Sequence, residues 1–358
     1  MEQFDAVAYI NTPRWQTVNL GLDRTRLLMK KLGNPQDRLK FVHVAGTNGK
    51  GSTCVYAAHI LQAAGYTTGM FTSPYIETFE ERIQVNGQLI SMDELTRVTL
   101  DVKEKAEEVE RETGEHPTEF ELMTAVALCH FARCNCDIVV LEVGLGGRLD
   151  STNIIDAPEV CAIARIGLDH TALLGDTLAQ VAGEKAGIIK QGSTVVSYPQ
   201  DPEAAAVIAQ AAAQVGSSVV QPDFSQLSTG STALVSDEDG SELIVRTFSY
   251  GEYQDLHTAL LGEYQPGNAA FAIEIIRALQ QRGWSISPEH VRTGIQAARW
   301  PGRFEVFPHV PGSPWIVVDG GHNPQGIEAL RRTCEDVFPG KAPWVVLSLL
   351  ADKDYDSM

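Results

Sequence analysis

A glycine-rich segment with a single lysine is the part of the sequence best suited to chemistry. Residues 43–53 read HVAGTNGKGST and follow the apolar stretch Phe41–Ala45. Glycines let successive amide N–H groups turn toward an anion, and the N-terminus of a following helix adds partial positive charge. Lys50 could neutralise phosphate oxygens, and a hydroxyl of Ser52 or Thr53 could bind Mg²⁺. We therefore expect a phosphate-binding loop with contacts from Asn48, Gly49, Lys50, Gly51, Ser52 and Thr53.

Other catalytic motifs do not fit the chain. The loop departs from GxxxxGK[ST], because Gly46 and Gly49 are three residues apart and Gly51 separates Lys50 from Ser52. Residues 144–149 read GLGGRL and lack the third glycine of a dinucleotide-binding GxGxxG motif. The sequence has no GxSxG, which argues against a serine hydrolase of that type.

Glu142 is the strongest candidate for a metal ligand. It ends the apolar run IVVLE, at the position where phosphate-binding enzymes carry an acid that holds Mg²⁺ directly or through water. A solvent-facing acid at the end of a strand is the simpler alternative for this residue.

Apolar strands that alternate with amphipathic helices predict the elements that position these residues. The pattern predicts strands at 41–45, 68–72, 137–143 and 160–166, and helices at 52–64, 177–189, 202–215 and 265–282. An Asn86-Gly87 turn predicts a hairpin, and Thr118–Glu121 is a capping box that opens a helix to about Arg133. The fold class is therefore α/β, with a P-loop-type, mostly parallel sheet.

A second, smaller α/β unit is predicted after residues 299–303. The segment RWPGR breaks the pattern there, and strands at 303–307, 315–319 and 344–349 with a helix at 324–336 follow it. We expect one domain at 1–299, with a β-rich segment around 222–258, and a second domain at 300–358.

Composition narrows the function further. The chain has 358 residues, 44% hydrophobic and 21% charged, and a net charge of −18, which disfavours binding to nucleic acid or to an anionic membrane. No basic leader and no apolar run of membrane-spanning length occurs. The six cysteines form no CxxC, which favours small buried side chains over a zinc site. These features predict a reduced, cytoplasmic protein.

The motifs together resemble a known family. The loop GTNGKGS resembles the ATP loop of the Mur ligase superfamily, and the longer AGTNGKGS resembles that of folylpolyglutamate synthase/dihydrofolate synthase. Further matches follow in family order: FTSP at 71–74, ERI at 81–83, LEVGLGGRLD at 141–150, DH at 169–170, GEKAG at 183–187, PGR at 301–303, DGGHNP at 319–324 and ADKD at 351–354. Only 45 residues precede Gly46, too few for the UDP-binding domain of a murein ligase, which favours the folate branch.

The resemblance implies an activity. A ligase of this family uses ATP to add L-glutamate to a folate through an acyl phosphate, with two Mg²⁺ ions and often a monovalent cation such as K⁺. Dihydropteroate is left open as a second acceptor, and we expect a monomer. Two alternatives stay open: another Mur-type amide ligase with a different acceptor, and a nucleotide-binding protein without ligase activity.

The resemblance also implies roles for individual residues. Ser73 and Glu142 would hold one Mg²⁺, and His170 the second. Lys185 corresponds to a lysine that is carbamylated in the family and then orients the metal site. Lys50, Lys185 and His322 are the catalytic candidates. The other matched residues would be contacts: Asn268 on the adenine side, Arg303 on the phosphates, Asp319 near the nucleotide, His322 beside glutamate or the reacting carboxylate, and Phe120 and Glu121 on the pterin side.

Simpler explanations exist for several of these residues. Read alone, Lys185 is a solvated helical lysine, Asn268 is a helix N-cap, and the capping box already accounts for Glu121. Members of the family usually continue for several elements beyond the ADKD segment at 351–354, so we expect the Rossmann-like second domain to be truncated.

Overall fold

The computed structural model describes residues 4–12, 21–236, 242–307, 314–321 and 324–348. The chain forms two compact units, the first comprising Met1–Pro222 and Phe271–Ile286, the second Asp223–Ala270 and Ser287–Met358. This division does not coincide with the predicted boundary between residues 299 and 300, because the β-rich segment groups with the C-terminal residues. The assignment of 1–299 and 300–358 as functional domains stays a prediction.

The first unit is built around a sheet that has eight strands in the described part of the chain. The strands are β1 Phe41–Ala45, β2 Thr68–Phe71, β3 Ile83–Val85, β4 Gln88–Leu89, β5 Ile138–Glu142, β6 Val160–Ile163, β7 Thr194–Ser197 and β8 Val219–Val220. Their order is β4-β3-β2-β5-β1-β6-β7-β8. In this order, each neighbouring pair from β2 through β5, β1, β6 and β7 to β8 is parallel. At one edge, β3 pairs antiparallel with β2 and forms an antiparallel hairpin with β4. The predicted mostly parallel sheet is confirmed.

Helices surround this sheet. They are α1 Ala6–Ile10, α2 Asp23–Lys31, α3 Lys50–Ala63, α4 Met92–Thr113, α5 Glu119–Arg133, α6 Thr171–Leu174, α7 Leu178–Ala186, α8 Pro202–Gln214 and the C-terminal part of α9 Gln265–Gln281. Every residue of β1, β5 and β6 is buried. Strands covered on both faces need no polar side, which explains why FVHVA, IVVLE and VCAI do not alternate.

The strand order places a crevice at the carboxyl end of β1. β1 lies between β5 and β6, and the chain leaves it through α3 to reach β2 on the far side of β5. After β5 the chain continues to β6, β7 and β8, which lie on the side of β1 opposite to β5. Ligands of open α/β sheets bind where connections diverge in this way, at the carboxyl ends of the strands.

The second unit contains an antiparallel sheet of β9 Leu227–Ser236, β10 Glu242–Tyr250 and β11 Tyr253–Thr258, in the order β11-β10-β9. These strands lie in the segment predicted to be β-rich. The N-terminal part of α9, then α10 Pro288–Ala297, the antiparallel pair β12 Glu305–Val306 and β13 Val317–Val318, and α11 Pro324–Val337 complete the described elements. Arg246 is buried on β10 and links it to α11, donating to Leu261 O at 2.7 Å and to Asp336 Oδ2 at 2.5 Å.

One predicted strand is wrong in its described residues. Residues 344–348 form no strand, and the side chains of Trp344 and Val346 are fully exposed. An apolar run becomes a strand only when a neighbouring strand pairs with it, and the described residues provide none here. No helix among the described residues is both long enough and apolar enough to span a bilayer.

Candidate active site

The glycine-rich loop lies at the carboxyl end of β1, as predicted, and ends at the first turn of α3. Gly49 is the residue before that helix and has φ of 87°, a left-handed conformation that favours glycine. The amide groups of Thr47 and Asn48 both donate to Arg165 O, at 2.9 and 3.1 Å. These two amides therefore fix the loop to the segment after β6. That the amides of the following residues, at the start of α3, hold the phosphates stays a prediction.

Lys50 spans the loop. Its Nζ donates to Thr47 O at 3.3 Å and lies 3.9 Å from Glu142 Oε1, with the side chain largely buried. Thr53 is buried, and its hydroxyl donates to Gly49 O at 2.7 Å. The loop thus carries one cation, held between the backbone and a carboxylate, at the site where we predicted phosphates.

Glu142 and Ser73 come together at the carboxyl ends of the neighbouring strands β5 and β2. Glu142 is 3% exposed, and its Oε2 accepts a hydrogen bond from Ser73 N at 3.1 Å. The solvent-facing alternative for Glu142 is wrong, since its carboxylate is buried beside Lys50. Among the described residues, no three His, Cys, Asp or Glu side chains are grouped so that they alone could hold a metal.

Lys185 lies on α7 and reaches the same loop. It is 4% exposed, and its Nζ donates to Gly46 O at 2.8 Å. Burial, followed by the positive charge of Lys50, lowers the pKa of Lys185 to about 7, although Asp169 and Asp150 act in the opposite direction. The alternative of a solvated helical lysine is therefore wrong. With this pKa, about half of the amines are neutral at pH 7 and able to react as nucleophiles.

His170 follows β6, and its surroundings differ from those of Lys185. Its side chain is half exposed, its φ is 49°, and its Nε2 lies 3.9 Å from Asp169 Oδ2. It forms no three-ligand group with other acids or histidines in the described residues. The structure therefore shows Glu142, Ser73, Lys50 and Lys185 around one loop, while the part of His170 in a metal site stays a prediction.

The two predicted pterin-side residues have different environments. Glu121 is buried, and its carboxylate accepts hydrogen bonds from Arg24 Nε, Thr25 Oγ1 and Thr118 N at 2.7 to 2.9 Å. These contacts account for Glu121 as a capping and ion-pairing residue, and its part on the pterin side stays a prediction.

Phe120 faces the loop that follows Glu142. Its ring lies against Gly144, where an added Cβ would be 2.3 Å from Phe120 Cζ, so only glycine leaves room for the ring. The ring also lies 6.0 Å from that of Phe71 at the end of β2, centroid to centroid. Phe120 is therefore an aromatic surface close to the end of β5.

A buried chain of hydrogen bonds supports the 144–150 loop, and none of the site residues predicted from the sequence belongs to it. Asp150 Oδ1 accepts from Thr152 Oγ1 at 2.5 Å, and Asp150 Oδ2 accepts from Leu145 N at 2.8 Å. His43 Nε2 lies 2.9 Å from Thr152 Oγ1. Because the Thr152 hydroxyl donates to Asp150, His43 must donate through Nε2. Burial lowers the pKa of His43 to about 3, which keeps the ring neutral. The Asp-x-Thr spacing at 150–152, typical of a capped turn, is a local sequence signal for the contact between Asp150 and Thr152.

The remaining predicted residues belong to the second unit. Asn268 lies within the first turn of α9, which begins at Gln265, and its side chain donates to Gln265 Oε1 at 3.2 Å. The N-cap alternative for Asn268 is therefore wrong. Asp319 accepts from Phe304 N and Gly321 N at 2.8 and 2.7 Å, and Gly320 packs beside the Arg303 guanidinium. His322 lies outside the described residues.

Comparison with known proteins gives the class first. Residues 44–276 match the family model of the Mur ligase middle domain, a range that contains Lys50, Glu142 and Lys185. The sheet, the loop and these residues therefore form the middle domain of a Mur-type ligase.

Individual relatives give the family within that class. The chain is 41% identical over 358 residues to the dihydrofolate synthase/folylpolyglutamate synthase of Bacillus subtilis, covering 99% of this chain and 81% of that protein. It is 37% identical over 370 residues to the folylpolyglutamate synthase of Lacticaseibacillus casei, covering 100% and 82%. A solved FPGS–AMPPCP–folate complex superposes with a TM-score of 0.82 at 36% identity, over 93% of this chain and 80% of that one. The chain belongs to the folylpolyglutamate synthase/dihydrofolate synthase family, which confirms the predicted family and fold class.

Proposed function

We propose that this protein is an ATP-dependent carboxylate–amine ligase that adds L-glutamate to tetrahydrofolate through an acyl phosphate. The observation that carries the proposal is the meeting of Lys50, Glu142 and Lys185 at the glycine-rich loop, with hydrogen bonds or close charges joining each to it. The names of the relatives support a folate as the acceptor, and the related complex that contains AMPPCP and folate supports ATP and folate as substrates.

In the first step, a carboxylate oxygen of the folate attacks the γ-phosphorus of ATP. The bond from phosphorus to the bridging oxygen breaks, and ADP leaves with that electron pair. Such a transfer depends on positioning and on charge stabilisation rather than on a protein nucleophile. The amide N–H groups at the start of α3 would hold the phosphates, and the ammonium of Lys50 would offset the charge that develops during transfer.

In the second step, the amine of L-glutamate attacks the carbonyl carbon of the acyl phosphate. The nitrogen loses a proton, the carbon–oxygen bond to phosphate breaks, and inorganic phosphate leaves. The acceptor must lie beside the end of β5 for its carboxylate to meet the phosphate. Phe120 offers an aromatic face for a pterin ring at that point, since its ring packs on Gly144, two residues after Glu142.

Mg²⁺ fits the residues at this edge of the sheet. Glu142 provides a buried carboxylate, and Ser73, whose amide already bonds it, provides a hydroxyl. Mg²⁺ usually takes one or two protein carboxylates and completes its shell with water and substrate phosphates, so a three-residue cluster is not required. When bound, it would supply positive charge to the phosphates. We propose Ser73 and Glu142 for one Mg²⁺ and His170 for a second.

The other assignments are proposals that rest on the family resemblance. Lys185 would be carbamylated, a chemistry that its buried position and lowered pKa favour. Asn268, Arg303 and Asp319 would contact ATP, and His322 would act on glutamate or on the reacting carboxylate. Glu121 would support the pterin side through its contacts with Arg24 and Thr25. Use of a monovalent cation, a monomeric state and a cytoplasmic location stay predictions of the sequence.

ADP release tests the proposal. The protein is incubated with ATP and Mg²⁺ and with tetrahydrofolate, dihydropteroate or a murein precursor, each with and without L-glutamate. We expect sustained ADP release only when a folate-type acceptor and glutamate are both present, and the Lys50→Ala variant is the matched control. Release with the murein precursor alone among the acceptors would support a different Mur-type ligase. No acceptor-dependent release would leave a nucleotide-binding protein without ligase activity. The dihydropteroate arm decides whether that acceptor is also used.

A further inference from the structure

Arg82 is a buried arginine to which the reaction described above assigns no part. It is the last residue of a short 3₁₀ helix, Phe79–Arg82, and it is 9% exposed. Its guanidinium carbon lies 4.8 Å from the centre of the Tyr75 ring and 5.7 Å from that of Phe79. Stacking on aromatic rings fixes the plane of a guanidinium and leaves its N–H edge to make other contacts.

The donors of Arg82 are not used within the described part of the chain. Its Nε is fully enclosed and has no hydrogen-bond partner there, and no carboxylate of the described residues lies within ion-pair distance. The nearest acid in sequence, Glu81, is occupied, since its carboxylate accepts from the amides of Ile76, Glu77 and Thr78. A buried donor that lacks a partner costs free energy, and no described residue offsets that cost for Arg82, so a ligand oxygen beside its guanidinium would be stabilised.

The backbone of Arg82 lies next to the proposed reaction site. Its carbonyl accepts a hydrogen bond from Thr72 N at 3.1 Å, which fixes it beside the residue before Ser73. Ser73 in turn bonds Glu142. Burial lowers the pKa of Arg82, whereas the negative charges of Glu119, Glu142 and Glu81 favour its charged form, so the charge of Glu142 acts on the guanidinium.

We propose that Arg82 binds the carboxylate of the acceptor that becomes phosphorylated. This inference rests on the proposed function, because only a ligase reaction brings a substrate carboxylate to this place. A carboxylate that approaches ATP and Glu142 meets strong repulsion, and a guanidinium edge offsets it while it holds both oxygens in a plane. Arg82 is therefore a substrate-binding residue for the acyl-forming step.

A structural role for Arg82 is the competing explanation. Its stacking on Tyr75 could serve only to hold the segment from Ser73 to Arg82. The two roles differ in what they predict for the charge of the ligand. A structural role affects every acceptor analogue equally, whereas a carboxylate-binding role affects only ligands that carry the reacting carboxylate.

Two ligands that differ only in this group make the test. Folate and its γ-carboxamide are titrated against the full chain in the presence of AMPPCP, with binding followed by calorimetry. We expect the wild type to bind folate about 10- to 100-fold more tightly than the amide, the range for a charge-assisted hydrogen bond. In Arg82→Met this preference is lost through weaker folate binding, with binding of the amide and of AMPPCP retained. Arg82→Lys keeps the charge without the planar edge and should give an intermediate preference.

Tyr75→Leu is the matched control, because it removes the ring under the guanidinium and leaves Arg82 in place. Tyr75→Leu should weaken the binding of folate less than Arg82→Met does, and it should preserve the preference for the carboxylate over the amide. Equal binding of folate and amide by the wild type would overturn the proposal, whether or not any variant folds. Equal loss for both ligands in Arg82→Met would also overturn it. If the wild type discriminates between the ligands but releases no ADP with folate and glutamate, the proposed function fails and the binding role of Arg82 stands.

Discussion

Lys185 provides the most demanding test of the site, because its proposed chemistry requires an amine that has lost its proton. The side chain is buried and donates to Gly46 O at 2.8 Å, and burial together with the positive charge of Lys50 lowers its pKa. Carbamylation joins this nitrogen to the carbon of CO₂ and releases a proton. The carbamate nitrogen keeps one N–H, which can still donate to Gly46 O. The modification also replaces a repulsion between two lysines by an attraction to Lys50.

The lowered pKa of Lys185 sets the fraction of its amine that can react with CO₂. With an ordinary lysine pKa near 10.4, roughly one amine in 2,500 is neutral at pH 7. With the pKa of Lys185 at about 7, half of the amines are neutral at that pH. The reactive fraction therefore rises by about 10³-fold, which makes capture of dissolved CO₂ effective near neutral pH. As the pH falls below about 7, protonation removes the neutral amine, and the carbamate should be lost together with the activity that depends on it.

The assay combines spectroscopy with kinetics. Wild-type protein equilibrated with ¹³C-labelled bicarbonate should give a carbamate carbon signal, and Lys185→Arg, which keeps the positive charge, should not. Removal of CO₂ should lower turnover and added bicarbonate should restore it, whereas Lys185→Arg should turn over about 10²- to 10³-fold more slowly at every bicarbonate concentration. A wild-type protein without the carbon signal, or a Lys185→Arg variant with full turnover, would refute the reasoning.

Three further predictions test the loop, the aromatic face and the buried histidine. Lys50→Ala should lower kcat for ADP release by about 10²- to 10⁴-fold, as expected for loss of a charge that stabilises the transition state, and unchanged turnover would contradict the assignment of the loop. Gly144→Ala should raise the KM for folate about 10-fold and leave the KM for ATP unchanged, because the new Cβ displaces the Phe120 ring at a cost of roughly 1–3 kcal/mol; a parallel rise in both constants would count against it. Burial lowers the pKa of His43 from 6.5 to about 3, so the unfolded chain binds one more proton between these values and stability falls as the pH drops. The free energy of unfolding, measured with urea between pH 7 and pH 4, should fall by up to about 1.4 kcal/mol per pH unit more in the wild type than in His43→Gln. Parallel curves for the two proteins would contradict this.

The central elements could be predicted because their sequence signals are local. β1 occupies the predicted residues 41–45, and the helix that opens at the Thr118 capping box ends at the predicted Arg133. The Asn86-Gly87 turn adopts positive φ at both residues, as the hairpin requires. A burial pattern, a cap and a turn each depend on a few neighbouring residues, so they can be recognised without knowledge of the tertiary structure.

The prediction omits α4, although its pattern is visible once the boundaries are known. Leu95, Val98, Val102, Ala106 and Val109 are buried at helical spacing within a 22-residue helix. The intervening residues are mostly charged, which hides the narrow apolar stripe from a search for apolar runs. The exposed residues 344–348 show the opposite case, since a strong apolar run has no strand beside it in the described residues.

The contacts that the sequence could not supply join residues far apart in the chain. Arg165 accepts from two loop amides, and Glu121 binds Arg24 and Thr25 about one hundred residues away. No spacing rule relates such residues, because they meet only when strands and helices pack. The family motifs identified Lys50, Glu142 and Lys185 as individual candidates, but their common position at one loop follows only from the strand order.

The charges of Glu142, Lys50 and Lys185 at the loop also explain why these three residues act together. Glu142 lies near Lys50, and Lys50 depresses the pKa of Lys185. Two ammonium groups and one carboxylate would leave the empty loop with an excess positive charge. Conversion of Lys185 to a carbamate would reverse that sign, so that two anionic groups flank Lys50 and can hold divalent cations. A polyphosphate would then enter with its own cations instead of displacing a lysine from its partner. In that state a negatively charged protein would bind a highly charged anion at a site where its net charge of −18 has little influence, because amides, one lysine and cations would set the local field.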